Sequence, residues 1–217
     1  MYLSRTPGIL RQLFSDFVWN LDPQSNTMYL TFDDGPMPDV TPWVIDVLDK
    51  FDAKASFFCV GENVSKYPDI FHKLRAAGHT IGNHTYNHLS GWATDNASYL
   101  KNVRKGALIT GSKLFRPPYG RIKPSQMKFI KCHYQAAMWD VLSGDFDPYL
   151  SKEDCYQNVI QNATKGSIIV FHDSLKSKEK LQYVLPRILE FFSQKNFSFA
   201  GLHDQTTLTP VSLEVSL

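Results

Sequence analysis

Short, unbroken apolar runs alternate along the chain with longer runs whose apolar positions recur at three- and four-residue spacing. The short runs "MYLTF", "ASFFCV", "HTIGN", "LFRPP", "YQAAMWDV", "SIIVFH" and "FSFAGL" predict strands buried on both faces. The periodic runs predict helices over residues 41–51, 64–77, 98–110, 124–131, 153–163 and 178–194, with Gly78, Gly111 and Gly166 as closing residues. Strands that alternate with helices form βαβ units and hence a parallel sheet, either open and doubly wound or closed as a barrel. In both designs ligands gather at the C-terminal ends of the strands.

The first 25 residues follow a different pattern. Ile9, Leu10, Leu13, Phe14, Phe17 and Val18 recur at helical spacing, and Thr6 with Pro7 suits an N-cap and first helical position. The expectation is an amphipathic helical extension over 1–25 packed on the body, with docking to a membrane surface as the alternative. Arg11, Gln12, Ser15 and Asp16 interrupt the apolar core that a signal peptide requires, which points to the cytoplasm. No stretch is long and apolar enough to span a bilayer. One domain is expected over 26–202, followed by an irregular tail over 203–217.

Composition narrows the function. The 217 residues are 43% hydrophobic and 20% charged with a net charge of +2, an ordinary soluble balance. The longest basic run, "LKSKEK", is broken by serine and an acid and reads as a solvated loop, so nucleic acid is not an expected partner. Cys59, Cys132 and Cys155 are too few and too widely spaced for a disulfide framework. No glycine-rich nucleotide loop occurs.

Candidate chemistry sits where the predicted strands end. "TFDDGP" closes the first with Asp33 and Asp34, and "HTIGNHTYNH" follows the third with His84 and His88. "FRPPYG" carries Arg116 and Tyr119, "WDVLSGDFD" carries Asp140, Asp145 and Asp147, and "SIIVFHDS" ends in His172. Singly, these are turn residues, an exposed histidine pair and a core histidine. On one edge of a parallel sheet they converge. His84 and His88, four residues apart on one face of a helical turn, can bind a divalent metal, and one carboxylate completes a facial set with open positions. Zinc suits such nitrogen and oxygen ligands; cobalt, nickel and iron fit as well. A metal lowers the pKa of its water from about 15.7 to about 7, and the second carboxylate serves as general base. His172, across the site, can protonate a leaving amine.

These ordered motifs resemble the polysaccharide deacetylases of carbohydrate esterase family 4, the NodB-homology domain, over roughly residues 28–202. The resemblance implies a distorted (β/α)7 barrel, a single domain. It also implies a metal-dependent hydrolase that removes N-acetyl groups from N-acetylglucosamine-containing carbohydrate and releases acetate. Residue by residue, it makes Asp33 the general base, and Asp34, His84 and His88 the metal ligands. Arg116 would orient Asp33 and balance its charge, and the Tyr119 backbone N–H would help hold the oxyanion. His172 would be the general acid, kept protonated by Asp145, with Ile168 and Val170 along the floor.

Three positions depart from the family pattern: Leu142 stands where an acid is usual, Phe146 where tryptophan is usual, and Leu89 where proline often follows. None removes a ligand or an acid–base group, so they bear on substrate choice. The same fold hydrolysing a cyclic ureide or an O-acetyl ester is the alternative, and a non-catalytic carbohydrate-binding protein is a third reading. Of the aromatic residues outside the motifs, Trp92 in "LSGWATDN" is a candidate sugar-stacking platform, whereas Trp43 and Trp139 read as core.

Overall fold

A computed structural model describes residues 3–21 and 26–202. The predicted tail from 203, His203 and residues 22–25 lie outside the described residues.

The first strand, β1 (Thr27–Asp33), is buried along its whole length. Neighbouring side chains leave a strand on opposite sides, and here each side has its own core. Met28, Leu30 and Phe32 pack outward with Val44 and Leu48 of α2 (Thr41–Asp49) and with Leu185 and Ile188 of α8 (Lys178–Ser193). Tyr29 points the other way and joins Phe58, Leu114, Ala137, Ile168 and Leu202. Thr31 and Asp33 continue that inner row.

The remaining strands are β2 (Ser56–Cys59), β3 (Thr80–Asn83), β4 (Leu114–Phe115), β5 (Gln135–Ala136), β6 (Val141–Leu142), β7 (Ile168–His172) and β8 (Ser198–Phe199). Their order is β5-β4-β3-β2-β1-β7-β6, with β8 beside β1. Every strand pairing is parallel. The sheet curls into a parallel α/β half-barrel, as the predicted alternation requires. Register then sets the functional level: Asp33 is opposite His172 on one side and Phe58 on the other, and Asn83 is opposite Phe115. The residues that follow, His84 and Arg116, therefore emerge at one end of the sheet.

The predicted strand "YQAAMWDV" is in fact two. Its first part is β5, paired with β4, and its last is β6, paired with β7 at the opposite edge. The residues between cross from one edge to the other, which an uninterrupted strand could not do. The N-terminal segment fills this seam. Val18 donates to Ala136 O and accepts from Met138 N, Leu142 N donates to Ser4 O, and Leu21 N donates to Gly166 O, all at 2.8–2.9 Å. Helix α1 (Gly8–Leu13) spans six residues, with Ile9 and Leu10 exposed. Pro7, not Thr6, is at its cap position; the Thr6 hydroxyl instead donates to Trp139 O.

The helix predicted over 64–77 is also two, α3 (Gly61–Lys66) and α4 (Pro68–Ala76). Pro68 lacks an N–H and drives Tyr67 out of helical geometry, to φ −129° and ψ 58°. The other helices are α5 (Asn96–Thr110), α6 (Pro124–His133) and α7 (Lys152–Asn162). Gly111 closes α5 with a left-handed φ of 67°. Gly78 follows α4 with a positive φ, but Gly166 lies beyond the end of α7 and turns the chain into β7. The three cysteines are unpaired. Among the described residues no helix is long and apolar enough to cross a membrane.

Candidate active site

Strand β1 ends at Asp33, and the next residue breaks the alternation. Asp34 takes a left-handed φ of 84°, followed by a cis Gly35–Pro36 bond. The two carboxylates are thus freed from opposite faces of one strand. Asn63 Nδ2 donates to Asp34 O at 2.8 Å, and Gly35 N donates to Asp173 Oδ1 at 3.0 Å. The second Asp173 oxygen accepts from the Thr41 hydroxyl. A side chain at Gly35 would collide with the Asp173 carboxylate, so glycine is required there.

His84 and His88 do not share a helical turn. Thr85 and His88 both have positive φ, at 64° and 57°, which no α-helix accommodates. Asn102 Oδ1 accepts from Tyr86 N and Asn87 N, and Thr85 Oγ1 accepts from Leu89 N. Side chains, rather than preceding carbonyls, satisfy this loop. The rings still meet, with centroids 5.0 Å apart.

Asp34, His84 and His88 place one donor atom each within 4.8 Å of one another. His88 Nε2 is 3.0 Å from Asp34 Oδ1, and His84 Nε2 is 3.8 Å from it. Yet Asp34 Oδ1 is buried and satisfied by no aligned hydrogen bond. Atoms that converge without bonding each other fit a cation held between them, and two imidazoles with one carboxylate is a donor set for a divalent metal. Burial pushes His84 down to about 4, against the pull of Asp33, so its imidazole is neutral at pH 7 and free to offer a lone pair. Burial alone would raise Asp34, but His88 beside it, together with the charges of His172 and His84, outweighs that and holds the carboxyl well below its usual range.

Asp33 has a separate partner. Arg116 is fully buried and donates to Asp33 Oδ1 and Thr31 Oγ1 from one nitrogen at 2.8 and 2.7 Å. Its other nitrogens donate to Ala137 O and Met138 O. The guanidinium also lies 4.0 Å over the Phe58 ring. Every side of a buried cation is thereby used, as burial demands.

Across the site, Asp145 Oδ1 is 2.8 Å from His172 Nδ1, and its Oδ2 accepts from His172 N at 2.7 Å. Burial disfavours the imidazolium, but Asp145, through its charge and this hydrogen bond, overrides it and lifts His172 to about 9. The Phe146 ring stands edge-on to His172 at 5.1 Å. Tyr119, at the tip of the 3-10 turn Pro118–Gly120, has φ 61° and sets its ring 4.7 Å from His88. Ile168 and Val170 share the inner face of β7 with His172, and both are buried.

The structure therefore brings together Asp33, Asp34, His84, His88, Arg116, Tyr119, Asp145 and His172. Asp140, expected near the site, is not there. It accepts from Ser167 Oγ and Ile168 N at the start of β7, four residues before His172, and ties β6 to β7. Leu142 is buried in β6 and does not reach the surface. Thr31, Thr41, Asn63 and Asp173 were not singled out from the sequence. Asp173 alone had a signal, an acid directly after His172 at a strand end.

A family model described as polysaccharide deacetylase matches residues 20–133. A peptidoglycan-N-acetylglucosamine deacetylase of Bacillus cereus is 35% identical over 67% of this chain, which spans 55% of that relative's length. A second B. cereus protein of the same name is 30% identical over 86% of this chain and 91% of its own. A crystal structure of a peptidoglycan N-acetylglucosamine deacetylase superimposes with a TM-score of 0.80, at 29% identity, covering 89% of this chain and 94% of the other. A curled parallel half-barrel with acids and histidines at its strand ends defines a carbohydrate esterase of the NodB-homology type. The chain belongs to the polysaccharide deacetylase family and is a hydrolase of that class.

Proposed function

We propose that this protein removes the acetyl group from N-acetylglucosamine units of a glycan and releases acetate. The observation that carries the reading is the cross-strand pair Asp33 and His172, in register on β1 and β7 and each held by an opposite charge. Each lies close to the Asp34, His84 and His88 donor set, Asp33 acting on the charge of His84 and His172 on that of Asp34. The names of the similar deacetylases support the same substrate class.

Asp34, His84 and His88 would hold a divalent cation, zinc by donor preference, with cobalt, nickel or iron also suited. Such a cation polarises a carbonyl and makes water more acidic. Asp33, paired with Arg116, takes a proton from the water that attacks the amide carbon. The Tyr119 N–H, at the turn beside His88, helps to hold the oxygen that becomes negative. As the C–N bond breaks, His172 gives its Nε2 proton to the departing amine. Asp145 keeps His172 charged until then. The acetyl carbon gains the water oxygen and leaves as acetate; the sugar keeps a free amine.

The test is acetate release from N-acetylglucosamine oligomers by cation-loaded protein, with a chelated sample beside it. Release that needs the cation is expected. No release from any oligomer by protein with stoichiometric cation would overturn the reading and favour another acyl or C–N substrate.

A further inference from the structure

We propose that Trp92 is a stacking plate for a second sugar ring of the glycan, so that the site selects oligomers over short saccharides. The proposal rests on the glycan reading above and names a binding subsite outside the catalytic groups. Trp92 is 62% exposed, yet its indole is fixed. Its Nε1 donates to Ile122 O at 3.2 Å, and the Arg121 guanidinium lies over one face of the ring, 5.4 Å from its centroid. Gly91 N donates to Arg121 O at 3.0 Å, and Gln126 Nε2 donates to Gly91 O at 3.0 Å. An apolar ring on a solvent-facing loop is thus held by its edge, by a cation over one face and by its backbone, and it remains 62% exposed for a sugar to pack on.

The loop continues directly into the site. Arg121 N donates to Pro118 O, and the same short turn carries Tyr119, itself 62% exposed and set against His88. Trp92 follows His88 by four residues, so their Cα atoms are at most about 14 Å apart, within reach of a short oligosaccharide. The apolar face of a pyranose ring suits a flat aromatic surface, and the indole is the largest such surface a side chain offers. Arg121 beside it supplies donors for ring hydroxyls. Continuity with the donor set argues for the substrate glycan as occupant rather than a protein partner.

The test compares kcat/KM for the N-acetylglucosamine tetrasaccharide and disaccharide on cation-loaded wild type, Trp92→Ala and Trp92→Phe. Trp92→Ala should lower the tetrasaccharide value by about tenfold, through KM, and largely abolish the preference for the longer chain. Trp92→Phe should restore most of it. An unchanged tetrasaccharide-to-disaccharide ratio in Trp92→Ala overturns the proposal. No acetate from either sugar with wild type would defeat the glycan-deacetylation reading instead. Calorimetric titration with the tetrasaccharide then decides the plate alone: weaker binding by Trp92→Ala supports it, and equal binding, or none by wild type, overturns it.

Discussion

Nδ1 of His84 lies 2.8 Å from the carbonyl oxygen of Arg116. A carbonyl can only accept, so Nδ1 carries the proton and Nε2 keeps its lone pair for a cation. The side chain of that same arginine reaches Asp33. One residue therefore orients His84 through its backbone and a carboxylate through its guanidinium. The two duties separate by mutation. Arg116→Met keeps the carbonyl but leaves Asp33 without its buried partner. It should cost about 3–5 kcal/mol of stability, read from urea unfolding. Unfolding at the wild-type midpoint would show that the pair does not support the fold.

Asp33 and Asp34 are adjacent in sequence but differ in surroundings, one on Arg116 and the other between two histidines. Asp33→Asn should keep the cation through dialysis while kcat falls by about 10²–10⁴. Asp34→Asn should lose the cation under the same dialysis. Metal content and acetate release, measured on both, check the assignment. The reverse pattern would exchange the two roles.

Much of this was legible because each motif sits where an apolar run stops. The run "MYLTF" followed by two acids, glycine and proline marks both β1 and the turn that aims Asp33 and Asp34. What sequence spacing misjudged was geometry set by distant partners. The four-residue interval between His84 and His88 suggested a helix, but Asn102 on α5 satisfies that loop, and Asn102 is 15 residues on from Asn87. "YQAAMWDV" looked like one strand because local pattern does not reveal that its halves pair at opposite sheet edges. Asp140, given no role from the sequence, was still expected near the site because it is acidic and close in sequence to Asp145. Its position is decided by Ser167 and Ile168, which sequence proximity does not disclose.

His172 is lifted to about 9 by Asp145, with Asp34 and Asp33 adding to the effect, against burial. Its acid form is present at neutral pH and is lost as pH rises through that value. The descending alkaline limb of kcat/KM should therefore fall near there. Asp145→Asn removes the main opposing charge, and burial then favours neutral imidazole. The limb should move to lower pH, and activity at neutral pH should drop. A pH–rate profile of both proteins checks this; an unmoved limb would detach it from the His172–Asp145 pair.

Asp140 is a buried acid outside the candidate site. Burial lifts it to about 6, although Ser167 and Ile168 donate hydrogen bonds to it. Its folded value lies above that of the unfolded chain, so the folded state binds more protons between the two. Stability should thus fall as pH rises from about 4 to about 6, by roughly 1.4 kcal/mol for each tenfold difference in proton affinity between the folded and unfolded chain. Asp140→Asn keeps an acceptor for Ile168 N and a group that can bond Ser167, but it has no charge to bury. Urea midpoints at about pH 4 and about pH 7 should differ less in the variant than in wild type. Acetate release at neutral pH should stay near the wild-type rate, because Asp140 braces β6 against β7 at the end of the sheet away from His172. Equal pH slopes in the two proteins would assign the wild-type dependence to other groups.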